Sequence, residues 1–312
     1  MAFGTCYYNH NSGWCFATPV LCMAAGGHAP NGPALHFPGQ GIYDQIILPE
    51  LIIKRNAFLS LFIVGMGGAC MYVLSAFWIT EMQQFYGADA YSLARKLTPF
   101  GFAYVIGASV GSMAIDLSHG RIREILLIST AIAVAGIGAL ASIGPNSPAR
   151  SIGLSVLASL GIGALYIPPI VGLVDVSADE RLGTVVGLAV AVRFIVGQIG
   201  YTVFYHIVNK KLNDTIPATV GRAVVLAGLP LIEVQPFIEA LLYRNTTALA
   251  GLHGITPKIL LTAQTALNEC FVQSFKLSYF AGIGFAGAAL VASLFFKNIR
   301  EYMVRRVAVD IH

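Results

Sequence analysis

Six runs of apolar residues, each long enough to cross a lipid bilayer, constrain this chain more than anything else in its sequence. Crossing the hydrocarbon in helical form takes about 20 mostly apolar residues. The runs lie at about 57–80, 97–116, 123–143, 150–174, 182–208 and 275–297. They are continuously apolar and do not alternate. That favours helices over a β-barrel, since lipid offers no partner to a backbone polar group. Only 11% of the 312 residues are charged and 56% are hydrophobic, against roughly 25% charged in a soluble domain. The chain reads as an all-α polytopic membrane protein with about six transmembrane helices.

Residues 1–50 hold no span. The stretch FATPVLCMAAG at 16–26 is short, contains a proline and follows no Lys or Arg, so it makes a poor signal peptide. ILPELII at 47–53 reads as a short interfacial helix. This divides the chain into a non-spanning segment 1–50, a membrane domain 51–306 and a tail 307–312. If the spans alternate, Lys54, Arg55, Arg121, Arg123, Arg181, Lys297, Arg300, Arg305 and Arg306 share one side. Arg95, Lys96 and Arg150 occupy the other. The positive-inside bias then places both termini in the cytoplasm. Residues 209–273 become an outer loop, with amphipathic helices expected near 217–243 and 256–272. The sequons at Asn213 and Asn245 both fall in it, which predicts glycosylation there.

Signals for soluble-enzyme chemistry are missing. There is no Gly-rich phosphate loop, HExxH or GxSxG, and the seven histidines are dispersed. Five cysteines show neither CxxC nor metal-ligand spacing. No catalytic residue, metal or cofactor is expected. The net charge of +4 is spread along the chain, which argues against nucleic acid as a partner.

Polar residues inside the spans are few. Arg193 lies 11 residues beyond Leu182, roughly 16 Å into the fifth span. A charge there costs a few kcal/mol or more, so it should face the bundle or a wet path, not lipid. It reads either as a solute or coupling contact or as a structural residue. Gln198, five residues on, points to a different part of the helix surface. Tyr72, Phe77, Trp78, Tyr104 and Tyr166 are candidates to line a site for an amphipathic solute, with Trp78 better placed as an interface anchor. Glu81, Asp116 and Asp175 sit at predicted span ends, where water would solvate them. Gly107-xxx-Gly111 and Gly183-xxx-Gly187 predict close helix contact. Gly161-Ile-Gly163 ahead of Pro168-Pro169 predicts a kinked fourth span. Asp116, Gly120 and Arg121 suit a tight turn in which the acid caps or pairs with a neighbouring helix N-terminus.

These residues carry a resemblance. The stretch from Val174 to Tyr205, with its acidic loop, Gly183, Gly187, Arg193, Gly197 and Gly200, resembles part of the fungal major facilitator efflux pumps. The corresponding region is their tenth-to-eleventh helix segment, and the nearest branch is the trichothecene efflux pump type, near drug:proton antiporters and siderophore transporters. The first span, ending Trp78-Ile-Thr-Glu-Met-Gln-Gln-Phe-Tyr86, is similar to their helix seven. Asp116…Gly120-Arg121 is similar to their loop motif between helices eight and nine. The resemblance covers roughly residues 42–306. It implies one six-helix half of the major facilitator fold, embedded in membrane lipid. It also implies efflux of a hydrophobic or chelating small molecule (secondary metabolite, toxin or siderophore), most naturally at the plasma membrane. Arg193, Gln198, Tyr72, Tyr104 and Tyr166 would then be intramembrane polar or substrate-binding residues, and Asp116, Gly120 and Arg121 would govern cytoplasmic closure. Such transporters have twelve to fourteen spans, so the expectation is a truncated product, or one wall of a cavity completed by a second half or a second copy. The alternative is a non-transporting half-length scaffold or regulator.

Overall fold

The computed structural model describes residues 54–86, 90–144, 147–177, 182–242 and 256–298. The non-spanning segment 1–50, the short helix expected at 47–53 and the tail lie outside them. Six helices are long and apolar enough to cross a membrane: α1 Arg55–Tyr86, α2 Ala90–Leu117, α3 Ile122–Leu140, α4 Pro148–Asp175, α5 Leu182–Leu226 and, after a short α6 at Val234–Leu242, α7 Pro257–Leu294. Each contains or closely matches one of the six apolar runs.

The packing has an internal twofold pattern. α1 packs on α5 and α7, α4 packs on α2 and α3, and α3 packs on α7. Exchanging the first three spans for the last three turns the α1–α5 contact into α4–α2. The same exchange turns α1–α7 into α4–α3. A three-helix unit used twice is the architecture of many secondary carriers.

Small residues set the closest approaches. Gly107 and Gly111 on α2 face the backbone of Leu160 and Ala164 on α4, and Gly163 faces the backbone of Tyr104. A side chain at any of these three would push the helices apart, so this glycine pair packs as expected. Gly183 and Gly187 do not: an added Cβ meets nothing within 4 Å at either, because both lie on the exposed face of α5. The fourth span is broken where the prolines predicted a kink. Its two pieces, Pro148–Ala164 and Ile167–Asp175, meet at Leu165–Tyr166. Pro168 and Pro169 stand in the first turn of the second piece, where a missing N–H costs no helical bond. Gly161 and Gly163 are packing positions against Ala133 and Tyr104.

Basic residues close one end of the bundle. Lys54 Nζ donates to the Val176 carbonyl at 2.8 Å, and Arg55 donates to the Phe295 carbonyl at 2.8 Å. Those carbonyls end α4 and α7, where helical partners run out and a cation is favourable. Asn298 accepts from the Arg123 N–H nearby at 3.1 Å. At the other end, Lys96 Nζ donates to the Tyr86 carbonyl and Arg150 donates to Ser142 Oγ, both at 3.2 Å. Among the described residues, Lys54, Arg55 and Arg123 are thus at the end opposite to Lys96 and Arg150.

The expected outer loop needs correction. α5 runs unbroken for 45 residues and α7 for 38, about 67 and 57 Å at 1.5 Å per residue, against a hydrocarbon thickness near 30 Å. Of the separate helices read near 217–243 and 256–272, the structure forms one, α6 at Val234–Leu242; residues 217–226 continue α5 and residues 257–272 are the first part of α7. Ile216, Val220 and Val224 of α5 pack with Phe237 of α6 and Ile259 and Ala263 of α7 in a second hydrophobic core. That core rewards continuing the helices past the membrane. Asn213 therefore sits exposed within α5 and not in an open loop. Asn245 lies outside the described residues.

Candidate functional site

α5 brings Arg193 to a junction of three helices. Its backbone lies against Gly68 of α1, where only a residue without a side chain admits such an approach. The guanidinium donates from Nη2 to the Tyr104 hydroxyl of α2 at 2.8 Å. Its Cζ stands 4.3 Å from the centroid of the Tyr166 ring, at the break in α4, a cation–π arrangement. Arg193, Tyr104 and Tyr166 are all half-buried. Neighbouring helices thus meet the charge, as its depth required. No carboxylate among the described residues pairs with it.

A second polar pair lies further along α5. Gln198 Nε2 donates to the Tyr72 hydroxyl of α1 at 2.7 Å. Five residues separate Gln198 from Arg193, roughly 7.5 Å along the axis, and the two engage different phenols. An aromatic ladder continues from there. Tyr72 and Tyr201 have ring centroids 6.1 Å apart, Tyr201 and Phe77 5.7 Å, and Tyr201 and Tyr205 6.1 Å. All five intramembrane candidates thus gather along α5 in two groups, and Tyr201 joins them. Tyr201 was legible as the residue three beyond Gln198, on a neighbouring stripe of the same helix.

Of the loop candidates, Gly120 makes the expected tight turn and Asp116 does not make the expected cap. Gly120 closes α2 with φ +80 and donates its N–H to the Ile115 carbonyl at 3.3 Å, a glycine C-cap. Arg121 pairs with Glu124 at 3.7 Å on the exposed surface. Asp116 is exposed, and it neither pairs with Arg121 nor caps α3, whose N-cap is Arg121 without a side-chain hydrogen bond.

Two further expectations fail at the opposite end. Trp78 is fully buried, not anchored at an interface. Its Nε1 donates to Ser151 Oγ at 2.9 Å and its ring stands 5.4 Å from Phe100. Glu81 is 3% exposed, not solvated, and accepts a hydrogen bond from the Tyr279 hydroxyl. Both corrections share a cause. α1 passes through a π-helical stretch at Val73–Trp78 and continues to Tyr86, so these residues are inside the helix and not at its end. Trp78, Met82 and Tyr86, four residues apart, carry the signal that the apolar face extends past Glu81.

Among the described residues no three His, Cys, Asp or Glu side chains cluster as a metal site. Cys70 and Cys270 are buried free thiols. The other three cysteines lie outside the described residues.

The family model of the fungal trichothecene efflux pump (TRI12) matches residues 39–312. The chain belongs to this family. It is 23% identical over 254 residues to the "MFS-type transporter prx5" of Penicillium rubens, covering 79% of this chain and 45% of that protein. It is 22% identical over 260 residues to the "Trichothecene efflux pump TRI12" of Trichoderma arundinaceum, covering 81% of this chain and 43% of that pump. The Fusarium sporotrichioides pump of the same name is 21% identical over 187 residues, which is 60% of this chain and 31% of the pump. The chain therefore spans less than half the length of these relatives. Family and apolar helices together make this efflux-pump family member an integral multi-pass membrane protein of the major facilitator type, and the family is one of transporters.

Proposed function

We propose that the chain exports a small organic molecule across the membrane and forms one wall of the transport path. Five residues carry the wall: Arg193, Tyr104, Tyr166, Gln198 and Tyr72. One observation supports this most. A half-buried intramembrane arginine is met by phenols from two other helices at 2.8 and 4.3 Å, and no acid among the described residues pairs with it. Intramembrane charges are costly, and they face bundle interiors or wet pathways where they mark solute routes. Two of the relatives are named as trichothecene efflux pumps, which supports a secondary metabolite or toxin as cargo. A second six-helix half, or a second copy, supplies the facing wall, since sites in such carriers lie at the interface between repeats. In this reading both termini face the cytoplasm and the membrane is the plasma membrane.

The test is export from proteoliposomes holding this chain, alone and with the first six spans of the Trichoderma relative. A trichothecene and 2-naphthoate are tested in parallel as probes, and empty liposomes are the background. Efflux above background in either arm is expected. It should fall at least about tenfold on Arg193→Ala, with insertion unchanged, as for the loss of a charged contact. Stable insertion with background flux in both arms would turn the reading toward a non-transporting scaffold.

A further inference from the structure

Arg193 has an incomplete set of partners. A guanidinium carries five N–H donors and cannot lose its proton in a protein. In this chain one donor reaches Tyr104, and Tyr166 lies against one face of the group. A phenol hydroxyl and a ring quadrupole stabilise a cation without cancelling its charge. No Asp or Glu among the described residues does so either. Elsewhere the bundle treats cations differently. Lys54 and Arg55 end on the carbonyls that close α4 and α7, and Arg121 lies beside Glu124. Arg193 alone of these is both within a span and half-exposed without a negative partner.

The surroundings define the shape of what would complete it. Beyond Arg193, α1 and α5 carry the rings of Tyr72, Tyr201 and Tyr205, in which Tyr201 stands with its centroid 6.1 Å from each of the other two. Gln198 and the Tyr72 hydroxyl lie between. The strip offers a positive, multiply donating end and a flat apolar body. Bidentate hydrogen bonding to a carboxylate or a similar planar oxyanion is what a guanidinium does best.

We propose that the solute taken by this site is an amphipathic organic acid, with its oxyanion on Arg193 and its apolar body along Tyr72, Tyr201 and Tyr205. The assignment rests on the transport-path reading above and adds the chemical class of the cargo. Charge neutralisation supplies the affinity and the aromatic strip holds the carbon skeleton.

The experiment measures equilibrium binding of 2-naphthoate and of 2-naphthalenemethanol to the purified chain in nanodiscs. The two probes share a skeleton and differ in the anionic group. The naphthoate should bind at least about tenfold more tightly than the alcohol, as expected for a charge-assisted pair. Arg193→Gln should bring the acid-over-alcohol preference down to about twofold or less. Arg193→Lys, which keeps the charge but not the planar fork and guards against a folding artefact, should retain part of it. Tyr201→Ala should weaken both probes alike. Equal binding of acid and alcohol, with Tyr201→Ala weakening both, would overturn the acid class and leave the site standing. Absence of binding by either probe, or binding untouched by both Arg193→Gln and Tyr201→Ala, would remove the site and the acid class together.

Discussion

Arg193 and Glu81 are both ionisable residues inside the helical bundle, and the protein treats them in opposite ways. Glu81 is enclosed: 3% exposed and hydrogen-bonded by Tyr279 near the end of α1. Arg193 is left half-open, with a phenol, a ring and unused donors. An isolated buried charge is expensive, and it becomes tolerable through pairing, hydrogen bonds or access to a wet path. The carboxyl takes the hydrogen-bonded solution and the guanidinium takes the open one. Closed polar groups mainly specify packing, whereas open ones leave capacity for a ligand.

Removing one hydroxyl from each site tests that division most severely. Tyr279→Phe strips the buried carboxyl of its recorded hydrogen-bond partner and should destabilise the protein by roughly 1–3 kcal/mol. Tyr104→Phe takes a hydroxyl from a guanidinium that keeps Tyr166 and partial solvent access, and should cost less than about 1 kcal/mol. Thermal unfolding of both variants in the same detergent reads the difference directly. A larger loss for Tyr104→Phe would reverse the comparison and make Arg193 the structural charge.

The sequence reveals one of these sites far better than the other, and the reason is geometric. Arg193 stands out because one cation in the middle of an apolar run is visible to a count of residues along a helix. Its neighbours Tyr104 and Tyr166 were nameable as candidates, yet their meeting depends on α2 and α4 approaching through Gly107, Gly111 and Gly163. Glu81 was hidden by a boundary. With the span stopped at Thr80 it stands in water; with the helix carried to Tyr86 it is inside. The same error at a larger scale split α5 and α7, because hydropathy reports where lipid ends, not where a helix does. The second core of Val220, Phe237 and Ile259 keeps those helices going after their lipid-facing run is over. Gly183 and Gly187 failed for the converse reason: the pattern permits a close contact without supplying a neighbour.

Trp78 sharpens the closed half of the comparison with a smaller effect. As an interface anchor it would tolerate phenylalanine with almost no change in stability. As a buried donor to Ser151 packed on Phe100, its replacement by phenylalanine loses a hydrogen bond and leaves a void. The cost should be about 1–2 kcal/mol, read as a lower unfolding temperature. Ser151→Ala should recover part of that loss in the double variant, because the two residues share one bond and their effects should not add.

The smallest expected effect is at the Gly120–Arg121 turn, which lies outside both sites. The Arg121–Glu124 pair is exposed and 3.7 Å long, so Arg121→Ala should change stability by no more than about 1 kcal/mol, and less at high salt. That small figure makes the variant informative. If Arg121 serves only the surface, export by the complete carrier should be as little altered as stability. If the turn helps to close its end of the bundle, export should fall while the unfolding temperature stays fixed. Asp116→Ala is the matching control. Exposed and without an ion-pair partner among the described residues, it should leave stability unchanged in either case, and it should lower export only if the aspartate finds a partner when the carrier changes state.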